Sequence, residues 1–151
     1  MEEKTGIAEK IATYKSDVEA LVKYLPWLES KCGQQMYTSK IPEQGGENSM
    51  RIPVYDSTLL QFVKVCQKTK FMNKNYVYTF SKKRIKTASD ELYVIKHTQI
   101  MEIETLGDIL SKYILKGMTK GTMWSEGISN SVIYNVVKQM KELIEFWSVP
   151  M

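Results

Sequence analysis

The feature that most constrains this chain is its last long amphipathic stretch. Between Ser131 and Trp147, the apolar residues Val132, Ile133, Val136, Val137, Met140, Leu143, Ile144 and Trp147 recur at spacings of one, three and four. At about 3.6 residues per helical turn, such positions merge into one stripe that other elements must cover. Asn135, Lys138, Gln139, Lys141, Glu142 and Glu145 take the opposite side, as a helix lying against a core requires. The expectation is three or four helices packed around this segment.

With 151 residues, 43% of them hydrophobic, the chain is long enough to bury an ordinary core, and residues 1–151 are read as one domain. No apolar run approaches the roughly 18 residues that span a bilayer. The first residues, MEEKTGIAEKIATYK, are acidic and amphipathic where a signal peptide is basic and then continuously apolar. The expectation is therefore a soluble, cytoplasmic protein with no membrane partner. Cys32 and Cys66 form no Cys-x-x-Cys motif, and His97 is the only histidine. Buried free thiols are expected rather than a disulfide framework or a zinc site.

The net charge of +4 conceals an uneven distribution. No acidic residue lies between Asp56 and Asp90, whereas Lys64, Lys68, Lys70, Lys74, Lys82, Lys83, Arg84 and Lys86 all do. The rest of the chain holds 13 basic and 17 acidic side chains. A mildly acidic body thus carries one basic segment, which favours an anionic partner such as nucleic acid, nucleotide phosphates or an acidic protein surface. The competing reading is a solvated face that serves solubility alone.

Taken in order, Ile7, Ile11, Tyr14, Val18, Leu21, Val22 and Leu25 mark an amphipathic helix. Pro26 in YLPWLE then forces a kink or a new short turn. Residues 33–49, in which Ile41 is almost alone among polar residues and which carry Gly45-Gly46, read as a mobile surface loop. MRIPVY, residues 50–55, reads as a short strand kept to an edge by Pro53. Asp56 and Ser57 are N-cap residues for a helix burying Leu59, Leu60, Phe62, Val63 and Cys66 and ending near Lys70.

NYVYTF (75–80) alternates Tyr76, Tyr78 and Phe80 with Val77 and Thr79, a strand-like period, and ELYVI (91–95) is a second strand candidate. Together they predict a small β-hairpin over about residues 75–96 with a basic tip, SKKRIKTASD. Thr105 and Asp108 approximate a capping box for a helix that Gly117 ends. GMTKGTMWSEG then reads as a turn leading to the final helix, with the last two long helices as an antiparallel pair. The resulting class is α+β, predominantly α-helical.

Chemistry-bearing patterns are sparse. His97 sits among apolar residues, where a hydrogen-bonded structural role is the ordinary one. Glu102, Glu104 and Asp108 suit helix-start electrostatics better than a carboxylate dyad or metal site. No HExxH, DFG-like or GxSxG motif occurs. No catalytic residue, cofactor or metal is assigned.

Two groups remain as partner- or anion-binding candidates. One is the basic stretch Lys74, Lys82, Lys83, Arg84 and Lys86. Basic side chains beside aromatics suit nucleic acid, although Tyr76, Tyr78 and Phe80 on a strand would all face inward. The other is Lys116, Lys120, Gly121, Thr122 and Trp124, in a turn where glycines free backbone amides for an anion. Its spacing departs from a Walker A loop, because three residues separate Gly117 from Gly121 and Lys120 precedes the second glycine.

The succession of YLPWLE, YDSTLLQFVKVCQKTKFM and then ETLGDILSKYILKGMTKGTMWSEGISNSVIYNVVKQMKELIEFW resembles a family of small bacterial and phage proteins, a domain of unknown function. The likeness lies mainly over residues 104–147. In that family a leucine-rich helix leads to a basic, glycine-containing turn with an aromatic, and then to a closing helix. Here Lys116, Lys120, Gly121 and Trp124 stand in the turn, and Met140-Lys141-Glu142-Leu143 in the closing run. The family's turn is arginine-rich, whereas this one has only lysine. The resemblance implies a mostly helical domain of bacterial or phage origin and no particular activity.

The leading expectation is a non-enzymatic binding protein for an anionic or macromolecular partner. That partner is nucleic acid or a protein complex, with inhibition of a host defence system as one instance. The alternatives are a small-ligand or nucleotide-binding protein or enzyme using the 116–122 turn, and a structural accessory protein that forms homo-oligomers.

Overall fold

Apolar periodicity accounts for most of the architecture. The computed structural model describes residues 2–34, 37–40 and 52–148, with side chains described for 6–34 and 55–148. Eight α-helices occur among the described residues, so the protein is predominantly helical. That is more than the three or four expected, because short segments between the long helices are helical too.

α1 (Glu2–Val22) is followed at once by α2 (Leu25–Lys31). Pro26 lies in the first turn of α2, where its missing N–H would have had no intrahelical partner. It ends one helix by starting another. Gly33 follows in the left-handed region, with φ 81°, and donates its N–H to the Ser129 carbonyl at 2.8 Å. This tight turn, for which glycine is suited, ties the end of α2 to a distant part of the chain.

Strand β1 (Tyr37–Lys40) pairs antiparallel with β2 (Ile52–Tyr55), with Tyr37 opposite Tyr55 and Pro53 opposite Ser39. The expected strand at 50–55 is therefore present as β2. Residues 37–40, expected to lie in a loop, form its partner, because backbone pairing asks little of the polar side chains in YTSK. Of the expected loop, residues 35–36 and 41–49 lie outside the described residues.

α3 (Ser57–Gln67) starts at Asp56, whose carboxylate accepts from the amides of Thr58 at 2.7 Å and Leu59 at 3.2 Å. Leu59, Phe62, Val63 and Cys66 are buried, but Leu60 remains exposed.

The expected hairpin over 75–96 is not formed. Residues 76–82 are helix α4 (Tyr76–Lys82) and residues 88–97 are helix α5 (Ala88–His97). A reciprocal capping box decides α5: Thr87 accepts from the Asp90 amide while Asp90 accepts from the Thr87 amide. Its two local hydrogen bonds outweigh the strand preference of ELYVI. The predicted capping box at Thr105 and Asp108 is likewise absent. A 3₁₀ turn (Ile100–Glu102) runs into α6 (Ile103–Gly117), which places both residues inside the helix and buries them.

The supposed turn of residues 117–127 is largely α7 (Thr122–Ser129), ahead of α8 (Val132–Ser148). α6 and α8 together form the centre. α8 buries Val132, Ile133, Val136, Val137, Met140, Leu143 and Ile144 and packs against α1, α2, α5, α6 and α7. α6 buries Ile103, Leu106, Ile109, Leu110, Tyr113 and Ile114 and packs against α3, α4, α5, α7 and α8. Each fully buried aliphatic side chain contributes about 1.5–3 kcal/mol of transfer free energy. The buried stripe of α8 stops short of its expected limit, since Trp147 is 41% exposed.

Candidate functional site

The basic candidates Lys74, Lys82, Lys83, Arg84 and Lys86 gather around α4, and all are exposed. α4 is unusual in composition: four of its seven residues are apolar or aromatic, yet none is buried. As a strand, Tyr76, Tyr78 and Phe80 would share one face. As a helix they divide. Tyr76 and Phe80, four apart, lie edge to face at 6.1 Å and are half-buried. Tyr78 points to solvent at 71% exposure, beside Val77 at 61%.

Polar bonds hold this helix alongside the partly buried Phe80, which packs against the core. Thr79 Oγ1 donates to Asp108 Oδ2 at 2.6 Å, and Asn73 Nδ2 donates to Asp108 Oδ1 at 2.8 Å. Ser111 Oγ accepts from the Asn73 amide at 2.9 Å and donates to the Gly107 carbonyl at 2.7 Å. Lys112, one turn beyond Asp108 on α6, sets its ammonium 5.3 Å from the centre of the Phe80 ring. One face of α6 thus clamps α4 from beneath.

The helix ends in a Schellman turn. The Ile85 amide donates to the Phe80 carbonyl at 2.9 Å and the Arg84 amide to the Ser81 carbonyl at 3.2 Å, while Arg84 takes φ 57°. Ile85 is buried beneath the turn, so Lys82, Lys83 and Arg84 sit at an exposed corner. Nearby acids are engaged. Lys83 lies 3.7 Å from Glu102, an exposed pair of little energetic weight. The amides of Lys86 and Thr87 hold the Asp90 carboxyl below the ordinary carboxylate value. Lys74, Lys82, Arg84 and Lys86 form no ion pair with a described residue.

The second candidate group lies elsewhere on the molecule. Lys116, Thr119 and Lys120 are exposed at the α6–α7 turn. The amides of Met118, Thr119 and Lys120 donate to the Leu115 and Lys116 carbonyls, closing the end of α6. Trp124 is buried, its indole N–H donating to the Ile114 carbonyl at 3.0 Å. A methyl group on Gly117 would collide with that indole, and one on Gly121 with the Tyr55 ring. Both glycines therefore make room for aromatic packing, and Lys116, Met118, Thr119 and Lys120 are what the turn offers to solvent.

Sequence reasoning missed a buried polar cluster at the centre of the molecule. Glu91 on α5 is 1% exposed and accepts from Tyr113 Oη at 2.6 Å. Lys112 Nζ lies 3.4 Å from the same carboxylate, and Asn130 Nδ2 donates to Tyr113 Oη at 3.1 Å. Burial, and then the bond to Glu91, push the Tyr113 hydroxyl well above the ordinary tyrosine value. The cluster joins α5, α6 and the α7–α8 turn. A glutamate in the first turn of an amphipathic helix gives no sign that it will be buried, so the only signal was the charge on an otherwise apolar face.

Other chemistry-bearing residues stand apart. His97 is exposed at the end of α5, its Nδ1 2.8 Å from the Tyr93 carbonyl and its ring stacked on Tyr93. Cys32 and Cys66 are free thiols, and burial raises the Cys66 pKa well above its ordinary value. Glu104 pairs with Lys10 and accepts from Tyr14, and Tyr14 titrates above the ordinary value chiefly through burial and then Glu104. No cluster of three metal-ligating side chains occurs among the described residues. Among them, too, no helix is long and apolar enough to cross a membrane.

The chain matches no protein-family model, no curated protein and no solved structure.

Proposed function

We propose that this protein is a non-enzymatic binding protein whose α4 corner engages an anionic macromolecule. The observation that carries the reading is the outward face of α4. Tyr78 and Val77 are displayed beside Lys74, Lys82, Arg84 and Lys86, none of them ion-paired to a described residue. Uncompensated positive charge concentrates counter-ions and accelerates encounter with polyanions. An apolar contact area at the same place adds short-range affinity. The Asp108 clamp supports the reading further, because a binding face works best on an element whose position is already set. The bacterial or phage setting implied by the sequence resemblance belongs to the same proposal, with a nucleic acid or nucleic-acid-bearing host complex as partner.

The direct test is affinity capture from the native host, with and without nuclease, in parallel with the triple variant K82E/K83E/R84E. Capture of an anionic partner that weakens with salt and is lost in the variant supports the proposal. Unchanged capture by the variant refutes it.

A further inference from the structure

The outward face of α4 also indicates which polyanion fits. Resting on the reading above, we infer that the partner is single-stranded nucleic acid, with one base stacking on Tyr78 and the adjoining phosphates held by Lys74 and Lys82.

Three observations converge on this. First, Tyr78 is 71% exposed and engages no ring among the described residues, unlike Tyr76, which is occupied with Phe80. A phenol ring left in water offers its face to any base, and stacking of this kind tolerates every sequence. Second, charge lies on both sides of the ring. Lys74 precedes Tyr78 by four residues and Lys82 follows it by four, both exposed and neither ion-paired to a described residue. Lys82 sits one helical turn from Tyr78 on the same face.

Third, the surface beside the ring is a groove of about 510 Å³ lined by Asn73, Lys74, Asn75, Val77, Tyr78 and Thr79. The exposed Val77 side chain supplies an apolar wall. Asn75 contributes a carboxamide that bonds to no described residue, a donor and an acceptor able to meet a base edge. Asn73 and Thr79 are turned inward onto Asp108, so the groove is fixed in shape while its outward groups are free. The buried Asp108 carboxylate commits its two oxygens to those bonds and does not confront a phosphate.

These features select single strands over the alternatives. Inside a duplex both faces of each base are covered by neighbouring pairs, so the tyrosine ring can stack only at the two ends. Inorganic polyphosphate would use the lysines alone. An acidic peptide would use the lysines and leave the ring and the carboxamide idle.

The test is fluorescence anisotropy on the full chain at several salt concentrations. The probes are labelled oligo-dT and oligo-U of twelve nucleotides, a duplex of the same length, polyphosphate and polyglutamate. The expected result is tighter binding of the single strands than of any other probe. Tyr78→Ala should lower that affinity roughly ten-fold or more while Tyr78→Phe retains it, because a stacking ring does not need its hydroxyl. Polyphosphate binding should be equal in all three proteins.

If K82E/K83E/R84E abolishes binding but Tyr78→Ala leaves oligonucleotide affinity unchanged, the inference falls and the anion-binding reading stands. The inference falls in the same way if duplex, polyphosphate or polyglutamate binds as tightly as single strands. If no polyanion binds at low salt, both are overturned.

Discussion

α8 and α4 are both rich in apolar side chains, but only α8 buries them. In α8 the apolar residues follow the helical period, so seven of them meet the core together. In α4 they alternate, so folding as a helix leaves Tyr76 and Phe80 half-buried and turns Val77 and Tyr78 to solvent. The first helix is held by the hydrophobic effect, which is collective and non-directional. The second is held by a few directed hydrogen bonds to Asp108 and Ser111 and by Lys112 against Phe80. Content of apolar residues therefore says little about burial; their spacing decides it. An apolar helix seated by polar bonds keeps its apolar surface available to a partner.

The contrast can be broken from either side. The largest effect is expected in the core: Met140→Ala, at a fully buried position, should destabilise by about 2–5 kcal/mol in urea unfolding. A loss below about 1 kcal/mol would mean that α8 does not anchor the fold as described. Next comes the clamp. Asp108→Ala leaves Asn73 and Thr79 without their acceptor and should lower stability by about 1–3 kcal/mol. Hydrogen exchange should then speed up over residues 76–82 while α8 stays protected. Equal exposure of both helices would show that α4 is an integral part of the core.

Alkaline unfolding probes the central cluster. The Tyr113 hydroxyl titrates higher in the folded protein than in the unfolded chain, so its contribution is complete below the unfolded value. It then falls as pH rises past that value, near 10, by at most about 1.4 kcal/mol per pH unit. Tyr113→Phe should remove this share of the dependence, as urea titrations between neutral and alkaline pH would reveal.

Smaller still is Arg84→Gly. Relieving the left-handed conformation at φ 57° should stabilise the protein by about 0.5–1 kcal/mol, readable as a raised urea midpoint. Tyr78→Ala should change stability by no more than about 0.5 kcal/mol, which makes it a clean binding variant. A larger loss would place that ring in the fold rather than on its surface.

Much of the scaffold was legible from spacing and caps alone. The stripe of α8, the break at Pro26, the Asp56 cap and the β2 strand all follow from local rules acting over a few residues. The failures share a different cause. NYVYTF has a strand's period over too few residues to separate strand from helix, and its state was settled by hydrogen bonds from residues about thirty positions away on α6. Thr105 and Asp108 had the right spacing for a cap but lie inside α6, which starts at Ile103, and Asp108 bonds to Asn73 and Thr79 instead. The candidate lysines were visible as a run of charge, but which aromatic accompanies them was not: only the helical state of α4 turns Tyr78 outward and Tyr76 with Phe80 inward.

What the sequence by itself determined is where apolar stripes, prolines and caps permit helices to start, end and seek burial, since these depend on neighbours within a turn or two. What the tertiary structure decided is which polar groups meet. Glu91 with Tyr113 and Asp108 with Thr79 are partners distant in sequence, and their bonds select a conformation only once the core has brought them together.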